Sequence, residues 1–225
     1  SSAWGIMEGA IRNLVAKKVL NCMCGAFSDK WFDVSKRCGK EAEALQVDWG
    51  SPIRAEDVDK KRATGQLDAL TVIVNETSTG VTSRIAEIRK SIDRAGHPAL
   101  FMIDTISPLG SIDYRHDEWG VDVTVGCSQK GLMLPPGLGL NAVSAKALAA
   151  SKKARLIKSY WSWDEMLAAN KDGFFPSSPA TNLLYGLRES LRMLMEEGLE
   201  NVFNRHRRHG EAARRAVRTW ELPIF

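Results

Sequence analysis

The chain has 225 residues, of which 44% are hydrophobic and 26% are charged, and its formal net charge is +4. This length allows one large α/β domain with a sizeable core, and no apolar run approaches the ~18–20 residues of a membrane span. The small positive charge gives no reason to expect binding to nucleic acid or membranes, and the sequence shows no secretory signal.

Short apolar, β-rich runs alternate with helix-like segments along the first two thirds of the chain. The pattern predicts helices at 5–15, 30–38, 56–64 and 82–94. It predicts strands at 19–23, 42–47, 69–74, 99–103 and 121–125. Strands and helices that alternate in this way favour right-handed crossovers, a mainly parallel sheet and a three-layer α/β/α fold.

The character of the sequence changes after the Pro-Pro-Gly turn at 135–137. A further strand is predicted at 139–143, and it is a candidate for an antiparallel strand. An aromatic loop is expected around 160–176. Helices are predicted at 145–154, 180–197 and 199–220, with Gly198 as a C-cap between the last two.

The four cysteines have neither the spacing of a zinc site nor the density of a disulfide scaffold. Most lie in or beside apolar segments, where buried free thiols are common. We therefore expect free thiols in a reducing, cytoplasm-like compartment, with a peroxisomal or other organellar location as the alternative. No metal site is predicted.

Chemically useful side chains follow several of the predicted strands. Because ligands of open parallel sheets bind beyond the carboxyl ends of the strands, these side chains are expected at one edge. The set comprises Phe27 on a loop, the run 75–80 (NETSTG), Asp104, Ile106, and the run 128–130 (SQK) that ends in Lys130.

A lysine and an aspartate at such an edge are the two groups that pyridoxal phosphate chemistry needs most. The lysine forms a Schiff base with the cofactor aldehyde, and the carboxylate pairs with the pyridinium nitrogen. The opening residues, including Ser2 and Ala3, precede the first helix, whose N-terminal N–H groups could hold a phosphate.

Each of these residues also has an ordinary structural explanation. A lysine after a strand is usually a solvated surface charge, and an aspartate there is often a turn or helix cap. Phe27 alone would more often belong to the core, and 75–80 alone would be a turn with an N-cap. Their shared position at one predicted edge is what favours a site.

Six motifs resemble those of the class V, fold-type I, pyridoxal-phosphate-dependent aminotransferases, in particular the serine–glyoxylate and alanine–glyoxylate (serine–pyruvate) subgroup. The resemblance covers nearly the whole chain, in order. The motifs are 75–80 (NETSTG), 103–110 (IDTISPLG), 126–131 (GCSQKG), 135–137 (PPG), 184–191 (LYGLRESL) and 197–200 (EGLE).

The resemblance implies a role for each matching position. Lys130 would be the Schiff-base lysine and the acid/base catalyst, and Asp104 would hold the pyridinium nitrogen. The remaining cofactor-binding positions would be Phe27 (ring stacking), Thr77 (phenolic oxygen), Ile106 (opposite ring face), Gln129 (phosphate), and Ser2 and Ala3 (phosphate-binding turn).

The resemblance also implies a homodimer with shared active sites. Ser178 falls where many relatives have a threonine that reaches the phosphate of the neighbouring subunit, and Phe175 falls where some have a tyrosine near it. Residues 1–200 would form the cofactor-binding large domain of an aspartate-aminotransferase-like fold. Residues 201–225 would form a linking helix and the start of a small C-terminal domain.

The implied activity is transfer of an amino group from serine or alanine to glyoxylate or pyruvate. One alternative is a cysteine desulfurase or lyase of the same fold, which needs a nucleophilic cysteine in the C-terminal part, and no cysteine follows Cys127 here. Another is a truncated, non-catalytic cofactor-binding domain, because no arginine corresponds to the usual receptor of the substrate carboxylate. The basic run 205–209 is more typical of a solvated helix face than of a nucleic-acid contact.

Overall fold

The computed structural model describes residues 3–62, 66–154 and 156–224. Its helices are α1 (Ala3–Leu14), α2 (Ala26–Arg37), α3 (Ala55–Arg62), α4 (Ile85–Arg94), α5 (Ala145–Ala154), α6 (Trp163–Lys171), α7 (Thr181–Glu197) and α8 (Leu199–Thr219). Its strands are β1 (Lys18–Met23), β2 (Glu41–Gln46), β3 (Ala69–Ile73), β4 (Asn75–Glu76), β5 (Val81–Thr82), β6 (Leu100–Asp104), β7 (Val123–Cys127) and β8 (Gly139–Val143).

Six strands form one sheet in the order β2-β1-β3-β6-β7-β8. All neighbours pair in parallel except β7 and β8, which pair antiparallel. β4 and β5 form a separate antiparallel pair next to the end of β3. The parallel arrangement brings the carboxyl ends of β1, β3, β6 and β7 to one edge of the sheet.

Helices cover both faces of the sheet. Alternate residues of each strand point to opposite faces and so belong to two separate hydrophobic cores. One face, with Leu70 and Phe101, packs against α3 and α4 through residues such as Ile88. The other face, with Met102 and Val125, packs against α1, α2, α5 and α6. A parallel strand buried on both sides has few polar positions, which is why β3, β6 and β7 read as continuous apolar runs. The expected three-layer α/β/α fold is confirmed.

A third cluster packs the last two helices onto the segment that follows β7. Leu132 and Leu134 of that segment contact Leu194 of α7 and Val202 of α8. No helix of the described residues is long and apolar enough to cross a membrane.

The boundaries differ from the predicted ones in ways that have local causes. The strand predicted at 121–125 lies at Val123–Cys127, and α4 begins at Ile85 instead of 82. The aromatic stretch expected to be a loop contains α6, whose first turn is capped by the Ser162 side chain accepting from the Glu165 N–H. Residues 63–64 of the helix predicted at 56–64 lie outside the described residues.

Candidate active site

Six of the predicted site residues meet at the carboxyl edge of the sheet. They follow or end β1, β3, β6 and β7, which are adjacent in the sheet. The six residues are Phe27, Thr77, Asp104, Ile106, Gln129 and Lys130.

Asp104 is the last residue of β6 and is only 3% exposed. Its Oδ1 accepts a hydrogen bond of 2.6 Å from the backbone N–H of Ile106. Burial raises the pKa of Asp104 to about 7; the Ile106 N–H opposes this rise and the charge of Glu76 adds to it. A cationic nitrogen beside this carboxyl group would favour its ionised form and lower the pKa.

Lys130 is exposed on the loop that follows β7. Asp104 pairs with Val125 in the neighbouring strand, so the Lys130 loop leaves the sheet beside the Asp104 loop. The two loops also touch, because a β-carbon added to Gly131 would lie 2.1 Å from the carbonyl oxygen of Leu109. The structure therefore places the lysine and the aspartate at the ends of adjacent strands, on the same edge.

The loop that carries Lys130 is closed by Ser128. The Ser128 hydroxyl donates to the Pro135 carbonyl at 2.8 Å, and the Ser128 N–H donates to the Leu138 carbonyl at 3.1 Å. From the other side, the hydroxyl of Ser190 in α7 donates to the Leu132 carbonyl. These bonds fix both ends of the segment that carries the lysine.

Phe27 lies in the first turn of α2 and not on a loop, which corrects the sequence-based expectation. Its side chain is 49% exposed, so a face of the ring is free to stack on a ligand. Thr77 is exposed at the next strand end, and its hydroxyl is hydrogen-bonded to that of Ser107. Ile106 is half-buried between these residues and the core below.

Sequence reasoning missed Glu76, a fully buried glutamate that is the last residue of the short strand β4. Its carboxylate accepts from the N–H of Ser28 at 3.0 Å and from the hydroxyl of Ser78 at 2.8 Å. The sequence contained a signal, because this acid stands three residues after the buried strand β3 and inside the 75–80 run. That run, however, also reads as an ordinary polar turn.

Two helix N-termini point toward the same edge. The Lys30 ammonium of α2 lies 4.1 Å from the centre of the Trp4 ring of α1. Ile6 of α1 packs where a β-carbon on Gly139 would be, and Gly139 pairs with Cys127 at the end of β7. Helix N-termini attract anions, so this end of the edge suits a phosphate.

The residues expected to bind that phosphate are only partly described. Ala3 is the first residue of α1, whereas Ser2 lies outside the described residues. Gln129 has a buried side-chain Oε1 without a hydrogen-bond partner among the described residues. Because amide O and N are assigned from hydrogen-bond patterns, an unsatisfied Gln129 amide at this edge is the kind of group that a polar ligand completes.

Ser178 lies apart from the six, in the exposed segment between α6 and α7. With Phe175 it lines a cavity of about 700 Å³ whose other walls include Ile6, Gly139 and Trp161. The segment thus lies near the N-terminal end of α1 in its own chain. The expected reach of Ser178 to a neighbouring subunit stays a prediction.

Comparison with known proteins agrees with the geometry of the site. Residues 24–222 match the family model of class-V aminotransferases. The chain is 46% identical to the serine–glyoxylate aminotransferase of Hyphomicrobium methylovorum, over 100% of this chain and 57% of that protein. It is 44% identical to the serine–glyoxylate aminotransferase of Methylorubrum extorquens, over 99% of this chain and 58% of that protein.

A solved structure shares the fold closely. The alanine–glyoxylate aminotransferase from Nostoc sp. superposes with a TM-score of 0.90 at 27% identity, covering 97% of this chain and 59% of that one. The chain therefore spans a little under three fifths of the length of these relatives. A family match over nearly the whole chain, together with the shared fold, settles the classification: this chain belongs to the class-V aminotransferase family.

Proposed function

We propose that the protein is a pyridoxal 5'-phosphate-dependent aminotransferase that transfers the amino group of serine or alanine to glyoxylate or pyruvate. The observation that carries this proposal is the position of Lys130 and Asp104 at the ends of adjacent parallel strands, with their loops in backbone contact. The substrates rest on the names of the relatives, two of which are serine–glyoxylate aminotransferases.

The residues present fit the cofactor. The edge offers an amine, a buried carboxyl group with one hydrogen bond among the described residues, and a half-exposed aromatic ring. The N-terminal parts of α1 and α2, which touch through Trp4 and Lys30, suit a phosphate, and the Gln129 side chain would bind it only through its amide NH₂ group. When bound, the cofactor supplies an aldehyde that links to amines and a ring that withdraws electrons.

Each residue then has a definite task. Asp104 would pair with the protonated ring nitrogen, whose positive charge would favour the ionised carboxylate against the burial that raises its pKa to about 7. Phe27 would stack on the ring, Ile106 would contact its other face, and Thr77 would bind near its phenolic oxygen. The Lys130 amine would link to the cofactor aldehyde and would act as the acid/base group that accepts and later releases the proton of the substrate α-carbon.

The remaining assignments follow from the same proposal. Residues 1–200 would be the cofactor-binding domain and 201–225 a link to a small domain. Ser178 would complete the site of a partner in a homodimer. A reducing compartment is supported by the four cysteines, all of which are free thiols.

The test is an assay of the full-length protein with L-serine and glyoxylate in the presence of pyridoxal phosphate. We expect equal amounts of hydroxypyruvate and glycine, because the amino group moves from one acid to the other. L-Alanine and L-aspartate are assayed as competing donors, and pyruvate as a competing acceptor. Absence of transfer from both L-serine and L-alanine to either acceptor would overturn the proposal.

A further inference from the structure

Glu76 is a buried carboxylate that links two of the loops at the active-site edge. It has 0% exposure. Three backbone N–H groups donate to it, those of Ser28 at 3.0 Å, Ser78 at 3.1 Å and Phe27 at 3.4 Å, and the hydroxyls of Ser28 and Ser78 lie within 3.2 and 2.8 Å of it. Both carboxylate oxygens therefore have backbone hydrogen-bond donors.

The two oxygens of Glu76 together join two parts of the fold. Oε2 binds Ser28 in the first turn of α2, and Oε1 binds both Ser78, in the turn after β4, and the Phe27 N–H of α2. The first turn of a helix has N–H groups without partners inside the helix. Here the N-cap residue is Gly25, which has no side chain to offer, and Glu76 supplies the acceptor from 48 residues away.

The space around this carboxylate is closely filled. A β-carbon on Gly25 would lie 2.4 Å from Cγ of Glu76 and 2.6 Å from the Ser78 hydroxyl. No lysine, arginine or histidine of the described residues forms an ion pair with Glu76. The charge is therefore held by hydrogen bonds and by the positive end of α2, and its position is set by both loops.

We infer that Glu76 is a positioning residue, which fixes Phe27 relative to Thr77 so that the cofactor ring fits between the α2 and β3 ends of the site. Phe27 stands next to Ser28 in the chain, and Thr77 stands between Glu76 and Ser78. Thr77 is bonded in turn to Ser107, on the loop that follows Asp104. Glu76 thus lies at the centre of a chain of contacts that joins three strand ends.

The charge of Glu76 also affects the active site, through the pKa of Asp104. Burial is the main cause of the raised pKa of Asp104, and the negative charge of Glu76 raises it further. A second negative charge nearby favours a proton that is shared by Asp104 and a ring nitrogen. This inference rests on the proposed function, because it assigns Glu76 a role in placing the cofactor.

The test compares Glu76→Gln with the parent in the full-length protein. Glutamine keeps the size of the side chain but offers one acceptor oxygen in place of two. We expect the Kd for pyridoxal phosphate to rise about 10- to 100-fold, since buried donors lose their acceptor. The visible circular dichroism of the bound cofactor should weaken, because the ring is held less rigidly. Amide exchange of Ser28 and Ser78 should accelerate, while that of Phe101 in the sheet should not.

Further variants separate the outcomes. Glu87→Gln removes an exposed glutamate of α4 and should leave the Kd unchanged. Glu76→Asp keeps the charge but cannot span both loops; if it restores the parent Kd, charge alone matters and the positioning role is wrong. Should Glu76→Gln fail to fold, Ser78→Ala removes one partner and should raise the Kd about 3- to 10-fold.

Failure of the inference differs from failure of the proposed function. If the parent binds pyridoxal phosphate and both Glu76→Gln and Ser78→Ala bind it within twofold of the parent, the role of Glu76 is overturned and the proposed function stands. If the parent does not bind pyridoxal phosphate at all, the proposed function falls, and the role of Glu76 falls with it.

Discussion

Gly131 lies directly against Leu109, since a β-carbon at position 131 would stand 2.1 Å from the Leu109 carbonyl oxygen. Through this contact the loop that carries Lys130 rests on the loop that follows Asp104, backbone against backbone. Any larger residue at 131 has to push the loops apart. The distance between the lysine and the aspartate therefore depends on a glycine that carries no functional group itself.

Gly131→Ala should lower the free energy of unfolding by about 1–3 kcal/mol, the usual cost of overfilling a closely packed site. It should also weaken binding of pyridoxal phosphate, because Lys130 moves with the loop. Urea unfolding and a cofactor titration measure the two effects.

The control is Gly210→Ala in α8, where the new methyl group would meet only the flexible end of Arg214 at 3.3 Å. The control should stabilise the helix by ~0.5–1 kcal/mol. Equal stability of Gly131→Ala and the parent would show that the two loops separate freely.

Lys130→Ala should abolish covalent attachment of the cofactor, because Lys130 alone among the described lysines follows the strand next to β6, which ends in Asp104. The parent is treated with pyridoxal phosphate and borohydride, digested, and analysed by mass spectrometry; we expect the added mass on the peptide that contains Lys130. Lys171→Ala, at the exposed end of α6, is the matched control and should behave as the parent. A Lys130→Ala protein that still transaminates at the parent rate would disprove the assignment of this lysine.

The strand ends were predictable because buried parallel strands are apolar on both faces. The runs that became β3, β6 and β7 stand out from their polar neighbours, so the residues after them could be assigned to one edge. The start of α2 was not predictable, because its acceptor, Glu76, lies 48 residues further along the chain. A cap supplied from another part of the fold leaves no local pattern.

The helix α6 was missed for a different reason. The run Ser162, Trp163, Asp164, Glu165 has the spacing of a helix start, and Ser162 caps the helix as that spacing predicts. The neighbouring aromatic residues gave the stretch no clear helical period, so it resembled a loop.

Asp104→Asn should stabilise the cofactor-free protein at high pH and have little effect at low pH. The pKa of Asp104 is raised to about 7 in the folded state, mainly by burial. As the pH rises from the ordinary carboxyl range to 7, the unfolded chain loses this proton first, and the folded state must then hold a buried charge. The difference in the free energy of unfolding should grow from near zero at about pH 4 to at most about 4 kcal/mol at about pH 8.

Urea unfolding at several pH values measures this difference. Asp164→Asn, an exposed aspartate in the first turn of α6, serves as the control and should show no comparable change with pH. A constant difference between Asp104→Asn and the parent across this range would mean that Asp104 ionises normally in the folded protein.

The thiol of Cys24 should be nearly inert in the folded protein although it stands one residue before the α2 N-cap. Burial is the main cause that raises its pKa to about 11, and the charge of Glu76 adds to the rise. Only the thiolate reacts with iodoacetamide, and at about pH 8 this pKa leaves roughly one molecule in a thousand as thiolate. Half-buried Cys38 should therefore be labelled first, and all four cysteines should be labelled in urea. Mass spectrometry of the labelled peptides measures the rate at each cysteine. Labelling of Cys24 as fast as Cys38 would mean that the loop between β1 and α2 opens readily. The Glu76 carboxylate should prevent such opening, because it is bonded to both Ser28 and Ser78.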